Sequence, residues 1–191
     1  NIMNKELKKR IFTSIILLFL LTAMYFYSFI MIGALLIMTI IIWIEFYALV
    51  SKIIRGNKLQ DRFFRYISKS ASLLYLSIFV YFIFIIESNY TDLKIYLLYS
   101  VLVAILSDIG GLVFGKTFKG KKLIKISPNK TVSGSIGSFL SSMILIPIFY
   151  NELITYNLLT LIILTMAISL ISQLGDLFIS LLKRKAKVKD T

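Results

Sequence analysis

Residues 11–50 read IFTSIILLFLLTAMYFYSFIMIGALLIMTIIIWIEFYALV, a stretch whose only charge is Glu45. About 20 apolar residues suffice to cross a bilayer as a helix, so this stretch is long enough to cross twice. It predicts two helices, 11–28 and 29–50, joined by a tight hairpin near Ser28–Phe29. Four further apolar runs follow at 71–86, 95–114, 136–150 and 158–182. The run at 136–150 is short and contains Pro147, which predicts a tilted or partly inserted helix whose freed carbonyl is satisfied by neighbours. The expected fold is all-α: a polytopic membrane bundle of about six spans, forming a single integral-membrane domain over 1–191.

The composition agrees. Of the 191 residues 58% are hydrophobic, with a mean hydropathy of +0.87, above the ~45–50% apolar content of a soluble domain. The first span lacks a small-residue cleavage site and is expected to be a retained helix. The chain starts at Asn1 and stops at Thr191 directly after a basic run, so both ends are expected to be cut.

Charge distribution sets the expected orientation. With the N-terminus in the cytoplasm, segments 1–10, 51–70, 115–135 and 183–191 lie inside and hold 21 of the 22 Lys and Arg residues. The outer turns, near 87–94 and 151–157, hold only Lys94 beside Glu87, Asp92 and Glu152. That asymmetry is the positive-inside pattern. The net charge of +13 is therefore one-sided. Lys5, Lys8, Lys9 and Arg10, and the basic residues of 51–70, are read as anchors to anionic headgroups. Splitting the basic residues among short tethered loops argues against a nucleic-acid partner.

Cysteine and histidine are absent, which excludes disulfides, thiolate metal sites, thiol catalysis and an imidazole base. What remains is carboxylates, Lys and Arg, hydroxyls and a hard cation held by oxygen, the tools of phosphoryl chemistry. Three acids lie inside apolar runs: Glu45, Asp108 and Asp176. Each sits seven or eight residues before the next basic residue, Lys52, Lys116 or Lys183, so all three lie roughly 10–12 Å inside the expected cytoplasmic boundary. Buried acids at one depth can share a hydrated pocket and a divalent metal, since their burial is costly without a function. Glu45, beside Trp43, is read as a structural acid. Asp108 is flanked by Ser107 and by Gly110-Gly111, which let other backbone approach. The segment 115–137, GKTFKGKKLIKISPNKTVSGSIG, places Gly, Ser, Thr and Lys before a helix start. Such a turn can cradle phosphate, although the Walker A spacing is absent and, taken alone, the segment reads better as a solvated basic loop.

Two stretches together resemble the phosphatidate cytidylyltransferases, the CDP-diacylglycerol synthases. Gly175-Asp176-Leu177-Phe178-Ile179-Ser180, then Lys183-Arg184, then Val188-Lys189-Asp190, is similar to the family's GDLxES, KR and VKD series. Ser107-Asp108 through Gly115-Lys116, and Ser127-Pro128-Asn129-Lys130-Thr131 with Gly134 and Gly137, are similar to its D-x-x-A-Y-x-x-G-[RK] and SPxKTxEG blocks. The motifs cover roughly 105–140 and 172–191. Val132-Ser133 stands where the family has Trp-Glu, Ile179 replaces the acid of GDLxES, and Gly111-Leu112 replaces Ala-Tyr. The resemblance also implies an HGGxxDRxD continuation after Thr191, so the chain is expected to be incomplete there, to lack part of its active site and to be inactive by itself.

The resemblance implies transfer of CMP from CTP to phosphatidate, giving CDP-diacylglycerol and pyrophosphate with Mg²⁺, and leaves room for a second cation. It implies Asp176, Lys183 and Arg184 as catalytic residues, Asp176 and Asp108 as metal ligands, and Ser127, Lys130, Thr131, Lys189 and Asp190 as substrate-binding residues. The expected partners are CTP, phosphatidate and the bilayer; a homodimer is left open. The expected location is a bacterial inner membrane with the active face in the cytoplasm. A CTP-dependent polyprenol or phytol kinase is the nearest alternative, and a transporter or scaffold the alternative of another class. The sequence shows no paired repeat of broken helices of the transporter kind.

Overall fold

The computed structural model describes residues 2–124, 127–153 and 157–188. Among these residues seven α-helices form: α1 (Ile2–Phe26), α2 (Ser28–Ile53), α3 (Leu59–Asn89), α4 (Lys94–Phe118), α5 (Val132–Met143), α6 (Leu145–Phe149) and α7 (Leu158–Lys185). Among the described residues five stretches are long and apolar enough to cross a membrane, with Phe12–Phe26 as a shorter sixth. The chain is a helical, multi-pass membrane protein, as its apolar runs predict. The hairpin between the first two helices falls at Tyr27, one residue from its expected place.

Three local features differ from the sequence reading. The predicted loop 51–70 is largely helical, because α2 continues to Ile53 and α3 starts at Leu59 with Asp61 in its first turn. An acid there favours the helix N-terminus. At 31 residues α3 is ~46 Å long, more than a ~30 Å hydrocarbon layer needs. Its first turns carry Arg62, Arg65 and Lys69 as a helical extension. Second, residues Lys122–Ile124 (β1) and Ser127–Thr131 (β2) pair antiparallel, so the basic segment after α4 is a small β-hairpin. Third, the span containing Pro147 is broken between α5 and α6. Pro147 has no N–H to give to the carbonyl of Met143, and the chain turns at Ile144, whose N–H bonds Ser141 O instead.

The helices group into two compact units, one of residues 1–47 and 66–91, the other of 48–65 and 92–191. In the first unit, Ser28 hydrogen-bonds the buried Glu87, and the Lys69 ammonium lies 3.2 Å from the centre of the Tyr47 ring. Most of its large apolar side chains face outward, as a bundle solvated by lipid requires.

The second unit has a tighter interior. Tyr99, Val103, Leu145, Ile146, Leu153 and Leu161 form its apolar core. Beside them, small and hydroxylated residues let the helices approach. A Cβ on Gly110 would stand 2.5 Å from the Gly137 carbonyl oxygen, one on Gly134 2.8 Å from that of Gly111, and one on Gly137 2.3 Å from Phe114 Cβ. Close backbone contact through glycine and serine is how membrane helices associate where apolar burial gives no net drive. It draws α4 and α5 together along the length of α5.

Candidate functional site

At one end of the second unit, α4, β2, α5 and α7 enclose a cavity of about 200 Å³. Asp108 enters from α4, Lys130 and Thr131 from β2, Gly134, Ser135 and Ser138 from α5, and Gln173 and Asp176 from α7. Leu112, Leu123 and Leu177 supply an apolar flank. The motif residues from the two separate blocks of sequence therefore meet.

The polar groups are held from one element to the next. The Lys130 ammonium donates to Asp176 Oδ2 at 2.7 Å, joining β2 to α7. Asp108 lies near Ser172, one helical turn before Asp176, and shares the cavity with Lys130 and Asp176. Two carboxylates and one ammonium thus line one cavity, open enough for each group to change partner.

The start of α5 is built differently from the phosphate cradle that the Gly/Ser-rich segment suggests. Thr131 is the N-cap: its hydroxyl accepts from Gly134 N at 3.1 Å. The N–H of Val132 is taken by the Lys121 carbonyl at 2.9 Å, and the Gly120 N–H donates to Ser133 Oγ at 3.2 Å. The Thr131 hydroxyl is thus occupied in ending the hairpin and starting the helix, a capping role. Lys130 carries the charge that β2 brings into the cavity.

The other predicted residues take varied positions. Lys183 and Arg184 lie in the last turn of α7, two turns beyond Asp176, and do not line the cavity. Beyond them α7 closes with Val188 N–H on Lys183 O, Lys187 N–H on Arg184 O, and Lys187 at a φ of 54°, a Schellman ending with lysine where glycine is usual. Ser127 lies in β2. Lys189 and Asp190 fall outside the described residues. Glu45 belongs to α2, in the first unit. Among the described residues no group of three or more His, Cys, Asp or Glu side chains comes together; the carboxylates of the cavity are a pair.

Sequence reasoning missed Ser135, Ser138, Ser172 and Gln173. A signal was present. Thr165, Ser169, Ser172, Gln173 and Asp176 recur at intervals of three and four along α7, which places them on one face of the helix.

A family model described as the cytidylyltransferase family matches residues 2–191. The phosphatidate cytidylyltransferase of Staphylococcus haemolyticus is 41% identical over 99 residues, 50% of this chain and 38% of that relative. Those of Staphylococcus saprophyticus and Staphylococcus aureus are 38% and 40% identical over 113 residues, 58% of this chain and 43% of theirs. The chain thus spans about two fifths of the length of the curated relatives it matches. No solved structure matches it significantly.

Proposed function

We propose that this chain, which belongs to the cytidylyltransferase family, carries the phosphate-handling site of an enzyme that makes CDP-diacylglycerol from CTP and phosphatidate. The observation that carries this reading is the meeting of Asp108, Lys130 and Asp176 in one cavity of a membrane bundle. Relatives named phosphatidate cytidylyltransferase support the choice of substrates.

The reaction joins two polyanions. A phosphate oxygen of phosphatidate forms a bond to the α-phosphorus of CTP, the bond from that phosphorus to the α–β bridging oxygen breaks, and pyrophosphate leaves. The attacking phosphate is already ionised, so no proton-abstracting histidine is needed. Catalysis then consists of holding the reactants in line and neutralising their charge. Lys130 is placed to exchange its bond with Asp176 for one with an incoming phosphate. Lys183 and Arg184, on the same end of α7, hold the triphosphate or the lipid headgroup as these enter. The apolar flank of Leu112, Leu123 and Leu177 suits the glycerol and acyl end of a lipid.

The donor set of the cavity fits Mg²⁺: two carboxylates with hydroxyl and amide oxygens, in a chain without thiol or imidazole. Mg²⁺ is commonly bound by one or two carboxylates, with substrate phosphates and water completing the shell. Asp108 and Asp176 would hold it. Bound there, it supplies positive charge to the phosphate oxygens. The cavity lies at the end of the second unit that carries Lys116, Lys119, Lys121, Lys122 and the basic turn of α7, which supports a cytoplasmic face under the positive-inside rule and, with bacterial relatives, an inner-membrane location.

Position-labelled CTP tests the reaction. With the full-length protein in phosphatidate nanodiscs, label in the α-phosphate should enter the lipid while γ-label leaves as pyrophosphate. Transfer of γ-label to lipid would make the protein a kinase, and failure of either label to reach lipid would sink the proposal.

A further inference from the structure

Beneath the cavity runs a chain of hydrogen bonds that joins three helices. The Ser135 hydroxyl, in the first turn of α5, donates to Gln173 Oε1 at 2.5 Å. Gln173 Nε2 donates to Ser169 Oγ at 3.3 Å, and Ser169 Oγ meets Ser107 Oγ of α4 at 2.8 Å. Ser107 and Ser169 are fully buried. Hydroxyls both donate and accept, so the chain can be satisfied along its length.

The ends of this chain are informative. Ser107 immediately precedes Asp108. Gln173 stands one turn before Asp176 and beside Ser172, a neighbour of Asp108. Gln173 also lines the cavity itself. A purely structural contact between α4 and α7 already exists lower down, where Tyr99 and Thr165 meet at 2.5 Å. The upper network adds a third helix and ends at Ser107, the residue before Asp108, with Gln173 one turn from Asp176. In a low-dielectric interior a broken member of such a network costs more than an exposed one, so its geometry is held stiffly.

We propose that Gln173 is a positioning residue for a divalent cation: through Ser135 and Ser169 it sets the spacing of Asp108 on α4 and Asp176 on α7. This rests on the reading of those acids as the cation pair. Partners that orient metal-binding carboxylates change metal affinity about 10- to 100-fold when removed.

Mn²⁺ binding to the nucleotide-free, full-length protein in nanodiscs, followed by the electron-spin resonance of free Mn²⁺, separates the two ideas without measuring turnover. Gln173→Met keeps the bulk and removes both hydrogen bonds. It should raise the Mn²⁺ Kd at least about tenfold. Thr165→Val, on the same face of α7 but remote from the cavity, should leave the Kd unchanged while lowering thermal stability. Ser135→Ala removes one hydroxyl at the α5 end and should weaken Mn²⁺ in the same direction, which keeps the test open if Gln173→Met does not fold. Wild-type Mn²⁺ binding that is lost in Asp176→Asn, with a Kd unmoved by Gln173→Met and Ser135→Ala, overturns the positioning role alone. Equal binding by wild type and Asp176→Asn, or none by either, overturns the cation pair and this proposal with it.

Discussion

Lys130 and Asp176 show how one contact can serve two states. At 2.7 Å the pair is a charge-assisted hydrogen bond, with the lysine side chain about a third exposed and the aspartate about half. Neither group is sealed in, so each can change partner when phosphate and cation arrive. Lys130→Ala should lower kcat/KM for CTP or phosphatidate about 10- to 100-fold, the equivalent of losing a hydrogen bond to a charged group at about 1.5–3 kcal/mol. Arg55 is the control. Its Nε donates to the Lys52 carbonyl at 2.9 Å at an exposed position, and Arg55→Ala should change kcat/KM by less than about twofold. Steady-state kinetics at varied CTP and varied phosphatidate mole fraction compare the two. Equal losses would mean that the segment between α2 and α3, and not the β-hairpin, meets the substrates.

Among the elements, the pairing of α4 with α5 matters most for the site. Asp108 reaches the wall of α5 because glycines at 110, 111, 134 and 137 let two backbones come within van der Waals contact. Gly110 and Gly33 make a clean comparison. A methyl group on Gly110 would meet the Gly137 carbonyl oxygen at 2.5 Å, a backbone atom that cannot swing away, whereas one on Gly33 meets nothing within 4 Å. Gly110→Ala should therefore destabilise the fold by about 1–3 kcal/mol through overpacking. Gly33→Ala should be neutral or slightly stabilising, since alanine is the better helix former. Unfolding of the two variants in mixed detergent, followed by circular dichroism, gives the comparison. Similar midpoints would show that α4 and α5 are not held at this distance.

At the scale of the whole molecule, the question is which ends of the helices face the cytoplasm. The chain has no cysteine, so single cysteines can be introduced without further changes. Asn57 and Lys121 are exposed on the segments expected inside, and Glu152 is exposed on a segment expected outside. In intact cells an impermeant maleimide should label Glu152→Cys but leave Asn57→Cys and Lys121→Cys unlabelled until the membrane is opened. Because 57 follows α2 and 121 follows α4, the two sites report on successive hairpins independently. Labelling of either from outside would reverse the proposed orientation of that hairpin and put its charges on the opposite face.

The sequence by itself determined the kind of molecule and the elements it is made from. A 40-residue run with one charge has no stable home in water, and in a bilayer a single chain of this kind satisfies its backbone only as helix. The motif blocks around Asp108, Lys130 and Asp176 were legible too, because residue type and order survive without coordinates. Spacing from the nearest basic residue gave depth along a helix axis, and for Asp108 and Asp176 equal depth did accompany a shared cavity. Depth says nothing about azimuth or about neighbours, however. By that measure Glu45 was their equal, yet it belongs to α2 in the other unit. Only the tertiary structure decided that Thr131 spends its hydroxyl on a helix cap, and that Ser135, Gln173, Ser169 and Ser107 form one chain. The reason is physical. Such contacts depend on how far each helix is rotated and how closely its backbone can approach the next, and those are set by small residues on partners distant in sequence.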